Sequence, residues 1–152
     1  MAFPYRKILC PIDFDDNSLR ALDKAIEIAR HFGATVLLVH AVPLVAQFGE
    51  VPIPVELYEQ QEKAARTRLA DIARQKLNGV KHESVVYTGD VVGSVLQAVG
   101  KFEPDLLVMA THGRRGLAHL FLGSVAAAVV RKASCPVLTI RSGVLEERAT
   151  KS

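Results

Sequence analysis

The sequence has no tryptophan, and its aromatic share is only 6%. That leaves few platforms on which nucleic-acid bases could stack, and no basic helix with interleaved aromatics appears. Its two cysteines, Cys10 and Cys135, cannot build a disulfide framework. Both sit in apolar runs, which points to a reducing compartment. Long hydrophobic runs are missing too. Ala34–Val42 is already interrupted by His40, far short of the roughly 20 residues a membrane-spanning helix needs. Asp13, Asp15 and Asp16 stand too early for a signal peptide, so a cytoplasmic protein with no membrane partner is expected. Neither charge sign dominates, with 19 Lys+Arg against 16 Asp+Glu and a net charge of +3. That balance is too mild to point to nucleic acid.

Catalytic signatures are also scarce. There is no glycine-rich loop ending in Gly-Lys-Ser/Thr and no Gly-x-Ser-x-Gly elbow. A receiver-type phosphoacceptor would need an aspartate ending the third strand, where Val86-Tyr87-Thr88 stands instead. A flavodoxin-like phosphate loop after the first strand would be repelled by Asp15 and Asp16. His31, His82 and His119 share no ligand-like spacing with either cysteine, so no metal site is expected.

What the 152 residues do contain is a 49% hydrophobic share arranged as alternating short apolar runs and longer amphipathic ones. Ile8–Ile12 reads as a buried strand. Asp15, Asp16, Asn17 and Ser18 then offer helix caps, Leu19, Leu22, Ile26 and Ala29 mark one buried helix face, and Gly33 ends the helix. Thr35–Val42 is a second buried strand. An irregular stretch from Pro43 to Pro54 precedes a helix from Val55 to Leu77, which ends at Asn78-Gly79. The segment Ala46–Leu57, across the boundary of the two, reads either as a lid or as an oligomer contact. Ser84–Tyr87 is the third strand, followed by a turn at Gly89-Asp90 and a short helix with Val92, Val95, Leu96 and Val99 inward. Asp105–Ala110 is the fourth strand, Ser124–Lys132 a helix, and Pro136–Ile140 the fifth strand. Five strands alternating with four helices predict a single α/β domain with a parallel sheet covered on both faces.

In such sheets a ligand binds beyond the carboxyl ends of the strands, where the strand order reverses. Three of those ends carry polar or small residues: Asp13, His40-Ala41, and Met109–Gly113. After the fourth strand come Thr111-His112-Gly113-Arg114-Arg115-Gly116 and then Leu122-Gly123-Ser124-Val125. Glycines let a backbone approach an anion, and the amides of Gly123, Ser124 and Val125 would open a helix. Ser124 is a suitable N-cap whose hydroxyl can also bond a phosphate oxygen. Taken alone, the same residues read as turn glycines and a capping serine. Likewise, Asp13 alone reads as a loop acid, and Arg114-Arg115 as a solvated pair.

The two segments ILCPIDFDDNSLRALDKAIEIA and MATHGRRGLAHLFLGSVAAAVVRKASCPVLTIR resemble the universal stress protein family, and the similarity covers nearly the whole chain. Nucleotide-binding members carry a glycine, two residues, a glycine, nine residues, a glycine and then Ser or Thr. Gly113 matches the second glycine and Gly123-Ser124 the final pair, whereas Ala110 stands in the first glycine's place. The resemblance implies an adenine nucleotide alpha hydrolase-like, three-layer fold with strand order 3-2-1-4-5, formed by residues 1–141 with a polar tail at 142–152. It implies ATP, with or without Mg2+, or AMP or ADP, lying across the first and fourth strands. Pro11, Ile12 and Asp13 match the segment around adenine and ribose, with Asp13 accepting from a ribose hydroxyl, and Ala41 an apolar contact to the base. Met109, Ala110, His112 and Gly113 match the phosphate-loop side, and Gly123, Ser124 and Val125 the helix that receives the phosphates. It further implies a homodimer through Pro136–Ile140, with unnamed protein partners. The function expected is a stress-response or regulatory protein that holds nucleotide with little or no hydrolysis. The alternative is a nucleotide-free interaction module of the same fold.

Charge is distributed to match. From Leu106 to Leu145 there is no Asp or Glu, while Arg114, Arg115, Arg131, Lys132 and Arg141 supply five positive charges, leaving a net −2 for the rest of the chain. The weak overall basicity therefore belongs to the segment with the expected phosphate loop.

Overall fold

The computed structural model describes residues 3–44, 52–111 and 122–141. In chain order the elements are β1 (Lys7–Pro11), α1 (Asp16–Phe32), β2 (Thr35–Val42), α2 (Val55–Lys76), β3 (His82–Thr88), α3 (Val91–Phe102), β4 (Leu106–Ala110), α4 (Ser124–Lys132) and β5 (Val137–Ile140). All strand pairs are parallel and the sheet order is β3-β2-β1-β4-β5, as expected. Because β1 is followed by a crossover to one side and β4 lies on its other side, the order reverses between β1 and β4.

Strand alternation divides the core into two layers. Ile8, Cys10, Val36, Leu38, Leu106 and Val108 point to one face, where Leu22 and Ile26 of α1 and Leu69 of α2 cover them. Leu9, Leu37, Val39, Leu107 and Met109 point to the other, under Val95 and Val99 of α3 and Val129 of α4. Both faces of the central strands are dry, which accounts for their near-continuous apolar runs.

Local chemistry sets the element ends. Asp15 caps α1 by accepting the Ser18 N–H at 2.8 Å. Gly33 closes that helix at φ 69°, the left-handed region where glycine carries no Cβ penalty. Asp90 caps α3 by accepting the Gly93 N–H at 2.7 Å, and a Cβ at Gly93 would meet its carboxylate at 2.7 Å. At the amino end of the sheet, Asp105 Oδ2 accepts the N–H groups of Arg6 at 2.8 Å and Lys7 at 3.0 Å.

Several boundaries differ from the sequence expectation for physical reasons. The first strand begins at Lys7 because Lys7 already pairs with Thr35, and it ends at Pro11. Asp105 precedes β4 instead of starting it, since its carboxylate is spent on the start of β1. The third strand runs from His82 to Thr88, longer than Ser84–Tyr87. Its polar start is exposed on the sheet edge, but β2 supplies backbone partners along its whole length, from Val36↔His82 to Val42↔Thr88. The fifth strand starts at Val137, one residue after the expected Pro136. In contrast, β2 and α4 have the bounds expected.

Candidate functional site

The carboxyl ends of β1 and β4 bring Pro11, Ile12 and Asp13 beside Met109, Ala110 and Thr111. Ile12 is held at both ends of its backbone. Its N–H donates to Val39 O at 2.8 Å, and its carbonyl lies 2.7 Å from His40 Nδ1. Since a carbonyl can only accept, Nδ1 carries the proton. Asp13 then enters a tight turn. Its N–H donates to Ser18 Oγ at 3.3 Å, and its Oδ1 accepts the Asp15 N–H at 3.1 Å. Between them Phe14 adopts φ 66°. Left-handed backbone is uncommon for a bulky residue, and here it lies next to the candidate site. Ser18 is buried beneath the turn and donates its hydroxyl to Asp15 O at 3.1 Å.

Two carboxyl groups thus meet at the start of α1. The Asp15 carboxyl titrates above the ordinary carboxylate range, first through burial, then through its hydrogen bond with Asp13 and the charge of that neighbour, against the lowering effect of Ser18. Asp15 Oδ2 is buried without a hydrogen-bond partner. The thiols play no such role. Burial pushes Cys10 far up, with the charge of Asp23 adding to the effect, and burial also raises Cys135. A raised thiol is a poor nucleophile, in line with the places of Cys10 and Cys135 in the two core layers.

Across the switch point, Met109 is buried in the core under α3 and α4, so what it can present to a ligand is backbone. Ala41 and Ala110 are half-buried at the ends of β2 and β4, as suits small apolar contacts. Thr111, to which the sequence assigns no role, is only 2% exposed. Its N–H donates to Ile140 O at 3.0 Å, and its carbonyl accepts the Gly123 N–H at 2.7 Å. One residue thereby ties the ends of β4 and β5 to the start of α4.

That tie corrects the expected cap. Gly123, not Ser124, is the N-cap of α4, with no side-chain cap bond, because the Gly123 carbonyl already accepts the Ala127 N–H at 2.9 Å. Ser124 is therefore the first helical residue, and it is exposed. The Gly123 amide is engaged by Thr111, so the first-turn amides without intrahelical acceptors are those of Ser124, Val125 and Ala126. They give this end partial positive charge suited to an anion. Of the remaining expected site residues, His112 and Gly113 lie outside the described residues, as do Arg114, Arg115, His119 and the tail from Ser142.

Among the described residues no group of three His, Cys, Asp or Glu could hold a metal, and no helix is long and apolar enough to cross a membrane. An open groove of about 640 Å³ lies at the far end of the sheet, between the end of α2 and the start of β3, lined by Arg74, Leu77, Lys81 and His82. It is remote from the switch point, and the polar groups that converge on one place are at the switch point instead.

A family model described as the universal stress protein family matches residues 4–141. Universal stress protein MJ0531 of Methanocaldococcus jannaschii is 34% identical over 143 residues, covering 90% of this chain and 82% of that protein. Among solved structures, a universal stress protein in complex with cAMP superimposes with a TM-score of 0.63 at 27% identity, covering 90% of this chain and 96% of that one. A universal stress protein family protein from Arabidopsis thaliana with AMP bound gives 0.61 at 25% identity, covering 93% and 94%.

Proposed function

The chain belongs to the universal stress protein family, and from that premise we propose that it is a cytoplasmic stress-response or regulatory protein that binds ATP and holds it with little or no hydrolysis. The observation that carries this reading is the pairing of a carboxylate turn at Asp13 with the amide-rich start of α4 across the β1–β4 switch point. Related structures with AMP and with cAMP support an adenine nucleotide as the ligand class.

In this reading Pro11, Ile12 and Ala41 form the apolar rest for adenine. A carboxylate has about four lone-pair positions, so Asp13 can accept from a ribose hydroxyl as well as from Asp15 N–H. Backbone at Met109 and Ala110 lines the phosphate side, to which the family motif adds His112 and Gly113, and the first-turn amides of Ser124 and Val125 receive the phosphates, with Gly123 opening the helix through its bond to Thr111. Mg2+ enters with the polyphosphate, held by its oxygens and water. ADP and AMP share the adenosine half and bind with fewer phosphate contacts. No side chain is assigned as a catalyst. Residues 1–141 form the binding domain and 142–152 a polar tail.

One departure favours a second reading, a nucleotide-free dimeric interaction module. Ala110 places a methyl group where nucleotide-binding relatives have their first motif glycine. Calorimetric titration of the wild-type chain and of Gly123→Val separates the two. On the first reading ATP binds the wild type at micromolar concentrations and the variant loses binding. No heat from either protein would establish the second.

We also propose a homodimer through β5. This strand is an edge of the sheet with Leu138 37% exposed, an aggregation hazard unless covered. Val137→Lys is expected to sediment as monomer or to precipitate. Val137 also packs against the core under α3 and α4, so Leu138→Lys is the companion that spares it. An unchanged dimer in both variants would contradict the proposal.

A further inference from the structure

We propose that Phe14 is the positioning residue of the nucleotide site, its ring held by contacts with both Arg68 of α2 and His40 of β2 so that the turn behind it aims Asp13 at the ligand. This rests on the functional reading above. Three facts carry it. Phe14 holds φ 66°, a backbone state that bulky L residues rarely adopt and that persists only where surroundings over-determine it. The Arg68 guanidinium lies 3.9 Å from the ring centroid, a cation–π distance, although Arg68 sits in mid-helix far along the chain. The His40 ring lies 4.5 Å from the Phe14 ring, and its Nδ1 holds the Ile12 carbonyl at 2.7 Å.

The clamp closes on the turn that it stabilises. Ile12 is fixed by His40, Phe14 by His40 and Arg68, and Asp13 lies between them with Oδ1 bonded to Asp15 N–H. A ring lost at position 14 leaves the left-handed backbone without its support, and the Asp13 carboxylate is the first group to move. Affinity for the ribose therefore depends on a side chain of α2 that need not touch the nucleotide. Arg68 is exposed on its helix, so its substitution leaves the core intact.

The test titrates ATP and 2′,3′-dideoxy-ATP into the wild type, Phe14→Ala, Arg68→Ala, Arg68→Lys, Asp13→Asn and the Phe14→Ala/Asp13→Asn double variant, with thermal melts checking the fold. Phe14→Ala is expected to weaken ATP about tenfold, the scale of one hydrogen bond to a charged group. Arg68→Ala should weaken it about threefold, with Arg68→Lys close to wild type. Dideoxy-ATP, which lacks the ribose hydroxyls, should bind the wild type and Phe14→Ala alike, and the double variant should be no weaker for ATP than Asp13→Asn alone. Equal losses for both nucleotides, or additive losses in the double variant, would overturn the positioning role.

A second readout needs no nucleotide. Amide hydrogen exchange at Asp15 and Ser18 should quicken in Arg68→Ala while mid-α1 amides keep their rates. If exchange quickens but the wild type binds no ATP, the clamp stands and the functional reading falls. If exchange is unchanged, the clamp itself is refuted.

Discussion

The two ends of the sheet are built to opposite specifications. At the amino end, Asp105 takes the N–H groups of Arg6 and Lys7, and Lys7 Nζ reaches Phe102 O at 3.1 Å. Phe3, Tyr5 and Phe32 pack edge-to-face there with centroids 5.3 to 5.6 Å apart, the geometry aromatic pairs prefer. At the carboxyl end, Asp13 crowds Asp15, Phe14 is left-handed, and α4 starts on a glycine with no side-chain cap. Local rules of stability are broken mainly at the carboxyl end, although Glu103, the left-handed C-cap of α3 (φ 53°), breaks one at the amino end, and those broken at the carboxyl end surround the switch point where a ligand would bind. Strain and unpaired polar groups persist where a rigid scaffold pins them, and here the amino end and the two-layer core are that scaffold.

Substitutions at the two ends sharpen this contrast. The largest effect on stability is expected from Asp105→Ala, which strips two backbone amides of their acceptor. Denaturant unfolding should show a loss of about 2 kcal/mol, with ATP affinity unchanged. A comparable loss of ATP affinity would erase the division of labour between the ends.

Asp15→Asn should act weakly and with the opposite sign. Asparagine caps a helix as well as aspartate, so the variant removes the burial of a charge and its crowding by Asp13, together worth about 0.5 kcal/mol at neutral pH. The pH dependence follows from linkage. The Asp15 carboxyl titrates higher folded than unfolded, so between those two values the folded state binds more protons and stability falls as pH rises. Below the unfolded value of about 3.9 that penalty is absent. The gain from Asp15→Asn should therefore be present at pH 7 and vanish in acid, as thermal melts across pH can check. A variant less stable than wild type at pH 7 would show that the Asp13–Asp15 contact supports the fold instead.

Much of this division was legible in the sequence. Thr35–Val42 reads correctly to the residue because a run rich in branched residues, with His40 as its one ionisable member, favours a strand buried on both faces. Asp13 and Gly123 stand out because each follows or opens an element at the end where ligands bind. The sequence conceals what depends on distance. Nothing in the spacing of Phe14 and Arg68 announces a contact between a turn and a helix more than fifty residues later, and nothing marks Thr111 as the tie between β4, β5 and α4. The one-residue shift of the α4 cap from Ser124 to Gly123 has the same origin, since Ser124 has the better capping side chain and only the backbone bond from Ala127 decides.

Native mass spectrometry of the wild-type chain after mild purification, repeated with ATP added at high micromolar concentration, tests the central claim most directly. An adduct of adenine-nucleotide mass, carried from the cell or formed on addition and unchanged to ATP on standing, is the predicted result. A bare mass in both spectra would contradict ATP binding, and rapid conversion to ADP would contradict holding without turnover.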